Sequence, residues 1–232
     1  MIELEIQKYL RNGGTVEGLA IDHNIDDYGN EQLAYLSYGI AASFMSKMVR
    51  ECRSLVLERG SWNVVAQTFE KFGNKGEGYV PELKGHINYY DKLDGSLITA
   101  FNYQGEWFLA TRKRLRAEGQ MNASKATFAD LIDVTLKEQF GLTRDEFTSY
   151  LDPKETYAFE LTSPDNRILV SYPKRELSLL AVRYVEDLVE TMPYSILLDG
   201  EQHVPVVKTV DYHNEEDLMA WLVTTSPTET EG

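Results

Sequence analysis

Lys92-Leu93-Asp94-Gly95-Ser96 is the segment of this chain whose residue types point most directly to covalent chemistry. A lysine amine is a nucleophile only when neutral. With an ordinary pKa of about 10.4, well under 1% of a lysine is neutral at pH 7. A nucleophilic Lys92 therefore needs nearby cations or desolvation to disfavour its ammonium form. Gly95 lets the backbone turn tightly and approach a ligand. A plainer reading stands beside this one: Asp-Gly between alternating apolar residues is an ordinary hairpin turn, with Lys92 as a solvated neighbour. Average usage puts Lys-x-Asp-Gly in roughly one chain in twenty of this length by chance, so the segment alone leaves both open.

Further segments share the same chemical theme. Upstream lie Glu51-Cys52-Arg53-Ser54-Leu55-Val56 and Phe69-Glu70-Lys71-Phe72-Gly73-Asn74. Downstream lie Thr111-Arg112-Lys113-Arg114, Phe159-Glu160-Leu161-Thr162-Ser163-Pro164-Asp165-Asn166-Arg167-Ile168 and the final Glu231-Gly232. In this order and spacing, from about Tyr38 onward, the chain resembles the ATP-dependent single-strand RNA ligases of T-even phages, the type associated with tRNA repair. Lys-x-Asp-Gly is shared with DNA ligases and capping enzymes. The Phe-Glu-Lys-Phe and Ser-Pro-x-Asn-Arg-Ile elements are more specific to the RNA ligase type.

The resemblance implies a covalent nucleotidyltransferase that joins RNA 5′-phosphate and 3′-hydroxyl ends, tRNA among them, using ATP and Mg²⁺. Lys92 would attack the α-phosphate of ATP and hold AMP as a phosphoramidate. Asp94 and Gly95 would lie beside sugar and phosphate. Arg53, Lys71 and Tyr38 would face the outer phosphates or the RNA 5′-phosphate, and Arg112 would lie near the triphosphate. Glu160 would contact the ribose or organise the site, and Glu160 with Glu231 would supply metal contacts. General chemistry agrees: a triphosphate needs clustered cations, and a divalent ion with one or two carboxylates neutralises the leaving pyrophosphate. Leu93 stands where relatives often carry an acid, Gly73 where a second Phe is usual, and Lys113-Arg114 where Gly-Ser is usual. The chain stops before the lysine pair with which the family grips the α-phosphate, and before its C-terminal domain. Residues 1–232 are thus expected to be an adenylylation domain incomplete at its C-terminus and impaired in adenylylation.

Each supporting residue also has a plain structural alternative. Arg53 could pair with Glu51 or Glu58 along a strand, and Lys71 could be a loop lysine. Four basic residues in 112–116 form either a solvated face or a phosphate track. Glu160 alternates with Phe159 and Leu161 and so points away from their side, to solvent or to a cleft. Cys52 reads as a small core residue. The four histidines show no metal-ligand spacing, and the tryptophans read as packing.

The chain has 23 Lys and Arg against 37 Asp and Glu, a net charge of −14. That balance argues against a sequence-nonspecific nucleic-acid binder but permits a local basic patch. No Lys or Arg follows Lys208, whereas six acids do. One cysteine excludes an internal disulfide. With no signal-like N-terminus and no long apolar run, a cytoplasmic protein is expected. The rival functions are a DNA ligase or capping-type nucleotidyltransferase, and a non-catalytic nucleotide- or RNA-binding module.

The elements that must position these groups read as an α+β fold with antiparallel sheets framing an ATP cleft. Helices are expected over 3–12, 122–140, 145–150 and 214–223, the last with Asn214 as N-cap. Strands are expected over 15–21, 54–58, 63–66, 86–90, 96–103, 106–111, 157–161, 168–170 and 177–184, with a Gln104-Gly105 hairpin. Residues 22–30 and 73–78 read as loops, and 32–48 fits helix or strand.

Overall fold

The computed structural model describes residues 3–17, 19–25, 32–74, 76–80, 88–121, 126–210 and 215–224. Its elements in chain order are α1 (Glu5–Arg11), β1 (Ile21–Ile25), β2 (Leu33–Tyr38), α2 (Lys47–Glu51), β3 (Leu55–Glu58) and β4 (Val64–Ala66). There follow β5 (Tyr89–Tyr90), β6 (Ser96–Tyr103), β7 (Glu106–Thr111), α3 (Phe128–Phe140), α4 (Arg144–Thr148) and β8 (Glu155–Thr162). The chain continues through β9 (Glu176–Tyr184), β10 (Glu190–Thr191), β11 (Thr209–Val210) and α5 (Glu215–Thr224).

Side-chain alternation assigns each sheet face to a layer. A four-stranded sheet runs β1-β2-β3-β4 and a five-stranded sheet runs β10-β9-β8-β6-β7, every named pairing antiparallel. On β2, Ala34 and Leu36 pack towards α1 and α2 with Ile6, Leu10, Val49 and Cys52. Its alternate residues Leu33 and Tyr35 meet Phe101 and Phe108 of the second sheet. On that sheet's other face, Ile98, Tyr157, Phe159 and Leu161 pack against Leu131, Ile132 and Leu136 of α3 and Phe147 of α4. The order is therefore helices, sheet, sheet, helices. β8 is buried along all eight residues because both its faces are covered.

The hairpin β6–β7 has the strand bounds and the Gln104-Gly105 turn expected, both turn residues at positive φ. Helix α3 ends at Gly141 with φ 76, as its pattern predicts. Its observed start is Phe128, where Thr127 and Asp130 exchange capping hydrogen bonds; residues 122–125 lie outside the described ones, as does the expected N-cap Asn214. The ambiguous stretch 32–48 divides into strand β2, a turn and the start of α2.

Two expectations fail. None of the described residues in 15–20 is strand; Glu17, Leu19 and Ala20 are turn, with Ala20 at φ 54, and the strand begins at Ile21 and runs into the expected loop. β1 is an edge strand, and such strands carry polar residues that hide the alternation. Residues 168–170 form no strand; the N–H groups of Leu169 and Val170 serve a side chain instead of a ladder.

Between α1 and α2, the wholly buried Glu51 carboxylate accepts the N–H groups of Glu5 at 3.1 Å and Ile6 at 2.9 Å. It thereby satisfies two donors that every helix start leaves open. Burial pushes its pKa up, and these N–H donors and Lys47 pull the other way. Glu51→Ala should cost about 1–3 kcal/mol of unfolding free energy by urea titration; a cost near zero would show that α1 is held by apolar packing alone.

Candidate functional site

The β6–β8 register sets the site. Ser96 pairs with Leu161 and Leu97 with Glu160, so the turn that precedes β6 lies against the end of β8. Gly95 belongs there because a Cβ would sit 2.4 Å from the Leu161 carbonyl oxygen. Its N–H donates to Glu160 Oε1 at 3.0 Å. Phe159 and Leu161 face the α3 core, while Glu160 shares its side of β8 with Ala158, which packs on Phe69. The alternation reading of Glu160 therefore holds, and the side it faces is a cleft.

That cleft has a volume of about 640 Å³. Its lining includes Lys92, Asp94, Gly95 and Glu160 together with Arg53, Phe69 and Phe72. The hairpin alternative for Asp94-Gly95 is not formed: β5 pairs with β11, and β6 pairs with β7 and β8. Lys92 is exposed in the turn and lines the cavity.

Asp94 is buried at 3% exposure. Its Oδ2 accepts the N–H of Leu169 at 2.5 Å and of Val170 at 2.6 Å. Its own N–H donates to the Tyr172 hydroxyl at 3.0 Å. Asn166 Nδ2 donates to Ser96 Oγ at 2.7 Å. The Ser-Pro-x-Asn-Arg-Ile segment is thus strapped onto the Lys92 turn. Asp94 lines the cleft, yet its Oδ2 is committed to the backbone, which makes it a holder of the loop.

Arg53 stacks on Phe72, its guanidinium carbon 4.6 Å from the ring centroid. Its Nε is buried without a hydrogen-bond partner. Burial lowers its pKa, Tyr38 and Glu160 oppose that shift, and Arg112 adds to it. The pairing with Glu51 or Glu58 that the sequence admits is not formed: Glu51 caps α1, and Glu58 accepts from Ser61 and Tyr103.

The other candidates sit beside the cavity, outside its lining. Arg112 lies 5.6 Å from the Tyr38 ring centroid and Lys71 Nζ lies 5.0 Å from that of Phe44. Lys71 Nζ also donates to the Phe72 carbonyl, tying it to the cleft wall. The 112–116 run separates: Arg116 pairs with Glu106 at 2.7 Å and stacks on Phe108, a structural role. Glu231 lies outside the described residues. Among the described residues no group of three His, Cys, Asp or Glu side chains is arranged to hold a metal. Cys52 is buried, with its thiol pKa pushed up, and donates to the Met48 carbonyl.

Sequence reasoning missed Tyr172 and the far wall made by Tyr90, Glu190, Met192 and Val207. Tyr90 donates to Met192 Sδ at 2.8 Å. No motif spacing marks these residues; only the sheet order brings them in. No described helix is long and apolar enough to cross a membrane.

A family model described as RNA ligase matches residues 51–232. A protein of Autographa californica nuclear polyhedrosis virus, named for a bifunctional polynucleotide kinase/RNA ligase, is 32% identical over 74% of this chain and 27% of its own. An RNA ligase of Rhodothermus phage RM378 is 25% identical over 66% of this chain and 42% of its own. The chain therefore spans less than half the length of these curated relatives. Among solved structures, a Naegleria gruberi RNA ligase mutant with ATP and Mn aligns at a TM-score of 0.40 and 16% identity, over 57% of this chain and 40% of that one.

Replacing Asp94 by Ala strands two N–H groups and frees the 163–172 strap. Urea unfolding should show a loss of about 2–4 kcal/mol, and protease should cut near Leu169 first. Parent-like stability with unchanged cleavage would remove Asp94 from the holding role.

Proposed function

The chain belongs to the RNA ligase family, and on that footing we propose that its cleft carries out ATP-dependent joining of RNA ends through Lys92. In the first step neutral Lys92 Nζ attacks the α-phosphorus of ATP. A P–N bond forms, the bond to the β-phosphate oxygen breaks, pyrophosphate leaves and the amine loses a proton. An RNA 5′-phosphate oxygen then attacks the same phosphorus, and the lysine regains its proton as the P–N bond breaks. Attack by a 3′-hydroxyl on the activated 5′-phosphate makes the phosphodiester and releases AMP. A broken tRNA is one RNA with such ends.

The observation that carries this reading is the convergence of Lys92, Gly95, Glu160, Arg53 and Phe72, from separate stretches of sequence, on one cavity. Arg53 is a half-buried cation whose Nε is unsatisfied, and its guanidinium is suited to a phosphate oxygen. Lys71 and Arg112, the latter over the Tyr38 ring, extend the positive side outward, where the outer phosphates or the RNA 5′-phosphate would lie beside Tyr38. Gly95 leaves room for close backbone approach, and its bond to Glu160 holds that carboxylate in the cleft, where it would contact the ribose. A Mg²⁺ ion bound mostly through phosphates and water needs few protein ligands. Glu160, with Glu231, would supply carboxylate for it, and the ion would neutralise the departing pyrophosphate.

Intact mass after incubation with ATP and Mg²⁺ tests the first step. The parent should gain one AMP, and Lys92→Ala should gain none. Arg53→Ala should slow adduct formation about 100-fold or more. An adduct on Lys92→Ala would refute the assignment of the nucleophile; a parent that forms none would be retested as a longer chain carrying the family's final lysine motif, and failure there too would refute the ligase reading.

A further inference from the structure

Next to the cleft lies a face of rings and cations in which the adenylylation reading uses Tyr38, Lys71 and Arg112 and leaves Phe44, Tyr79 and Arg50 without a role. The Tyr38 and Phe44 rings meet edge to face at 5.0 Å, and Phe44 lies 6.3 Å from Tyr79. All three rings are half-buried and so present open area to solvent. Each carries a cation: Arg112 on Tyr38, Lys71 on Phe44, and Arg50 on Tyr79 at 5.2 Å. Arg50 is fixed by donating to the carbonyls of Phe44 at 2.6 Å and Met45 at 3.1 Å. Glu77, bound to Asn74 and the Tyr79 hydroxyl, is the carboxylate against them. In a chain of net charge −14, interleaved rings and cations on one face run against the overall balance.

The face is continuous with the cleft. Lys71 Nζ donates to the carbonyl of Phe72, whose ring lines the cavity under Arg53. We propose that Phe44 and Tyr79, with Arg50, are a stacking platform for the unpaired bases of a single-stranded RNA whose 5′-phosphate enters the cleft beside Arg53. The proposal rests on the ligase reading and names where its RNA strand lies. Rings take any base on their faces, and cations follow the phosphates, so the platform is tolerant of sequence and sensitive to salt.

The test is fluorescence anisotropy of the parent chain with a short unstructured 5′-phosphorylated oligoribonucleotide, at low and at physiological salt. Binding should weaken as salt rises. The Phe44→Leu/Tyr79→Leu double variant keeps apolar bulk but loses both rings, and its affinity should fall about thirtyfold or more. Tyr79→Trp should retain binding, and its added indole fluorescence should be quenched by the RNA with the same midpoint as the anisotropy. That arm stands even where the double variant does not fold. Parent-like binding by a folded double variant, or an indole signal indifferent to RNA, overturns the platform. So does a parent that binds no RNA, an outcome that leaves the face to a protein partner. Lys92–AMP formation on the same samples reads the ligase assignment separately: adduct without ring-dependent RNA binding sinks the platform alone.

Discussion

A carboxylate withdrawn from water must find donors for its lone pairs. Asp94 finds two in the backbone of Leu169 and Val170, and the rest of the site hangs on that choice. The strap from Ser163 to Tyr172 has no ladder of its own here. It is held by Asp94, by Asn166 on Ser96 and by the Tyr172 hydroxyl under the Asp94 N–H. The turn bearing Lys92 is fixed from the other side by Gly95 on Glu160. Two loops that would each wander in isolation thus lock one another, and strand pairing supplies only the register in which they meet.

The same economy governs charge. Arg53 sits against Phe72 with Nε unsatisfied, a cost of roughly 1–3 kcal/mol for a buried donor. An arginine cannot relieve that cost by losing its proton. Glu160 and Tyr38 temper the guanidinium from nearby and Arg112 works against them. Other polar chains couple the two sheets behind the site. Arg183 Nη1 donates to Gln67, and Gln67 Nε2 to the Glu51 carbonyl, at 2.9 Å each. The Tyr35 hydroxyl donates to the Thr111 carbonyl.

How much of this was readable beforehand depended on whether the cause was local. β6, β7 and their turn were legible because alternation and Gln104-Gly105 act within a few residues. Glu160 was legible because a strand's period fixes which side a residue takes. The Lys92 turn, Arg53 and the Ser163–Ile168 element were found through motif resemblance. What Asp94 does could not be found that way, because its partners are backbone atoms that carry no sequence signature. Ile168–Val170 looked like a strand for the same reason: three apolar residues in a row do not say where their N–H groups go. The edge strand β1 was hidden by its polar residues, and the far wall at Glu190–Pro193 depends on sheet order alone.

The distance along the chain between Asp94 and its partners has a consequence in time. Those bonds close loops of 75 and 76 residues, and a loop of that length forms late, after the local hairpins and helices have repaid their own ordering entropy. A growing chain that has passed Lys92 still owns no site. The Lys92 turn acquires its shape only when Tyr172 has emerged and β8 has found β6. Until then the Lys92 segment is unpinned, and a chain interrupted before that point carries the motif without its geometry.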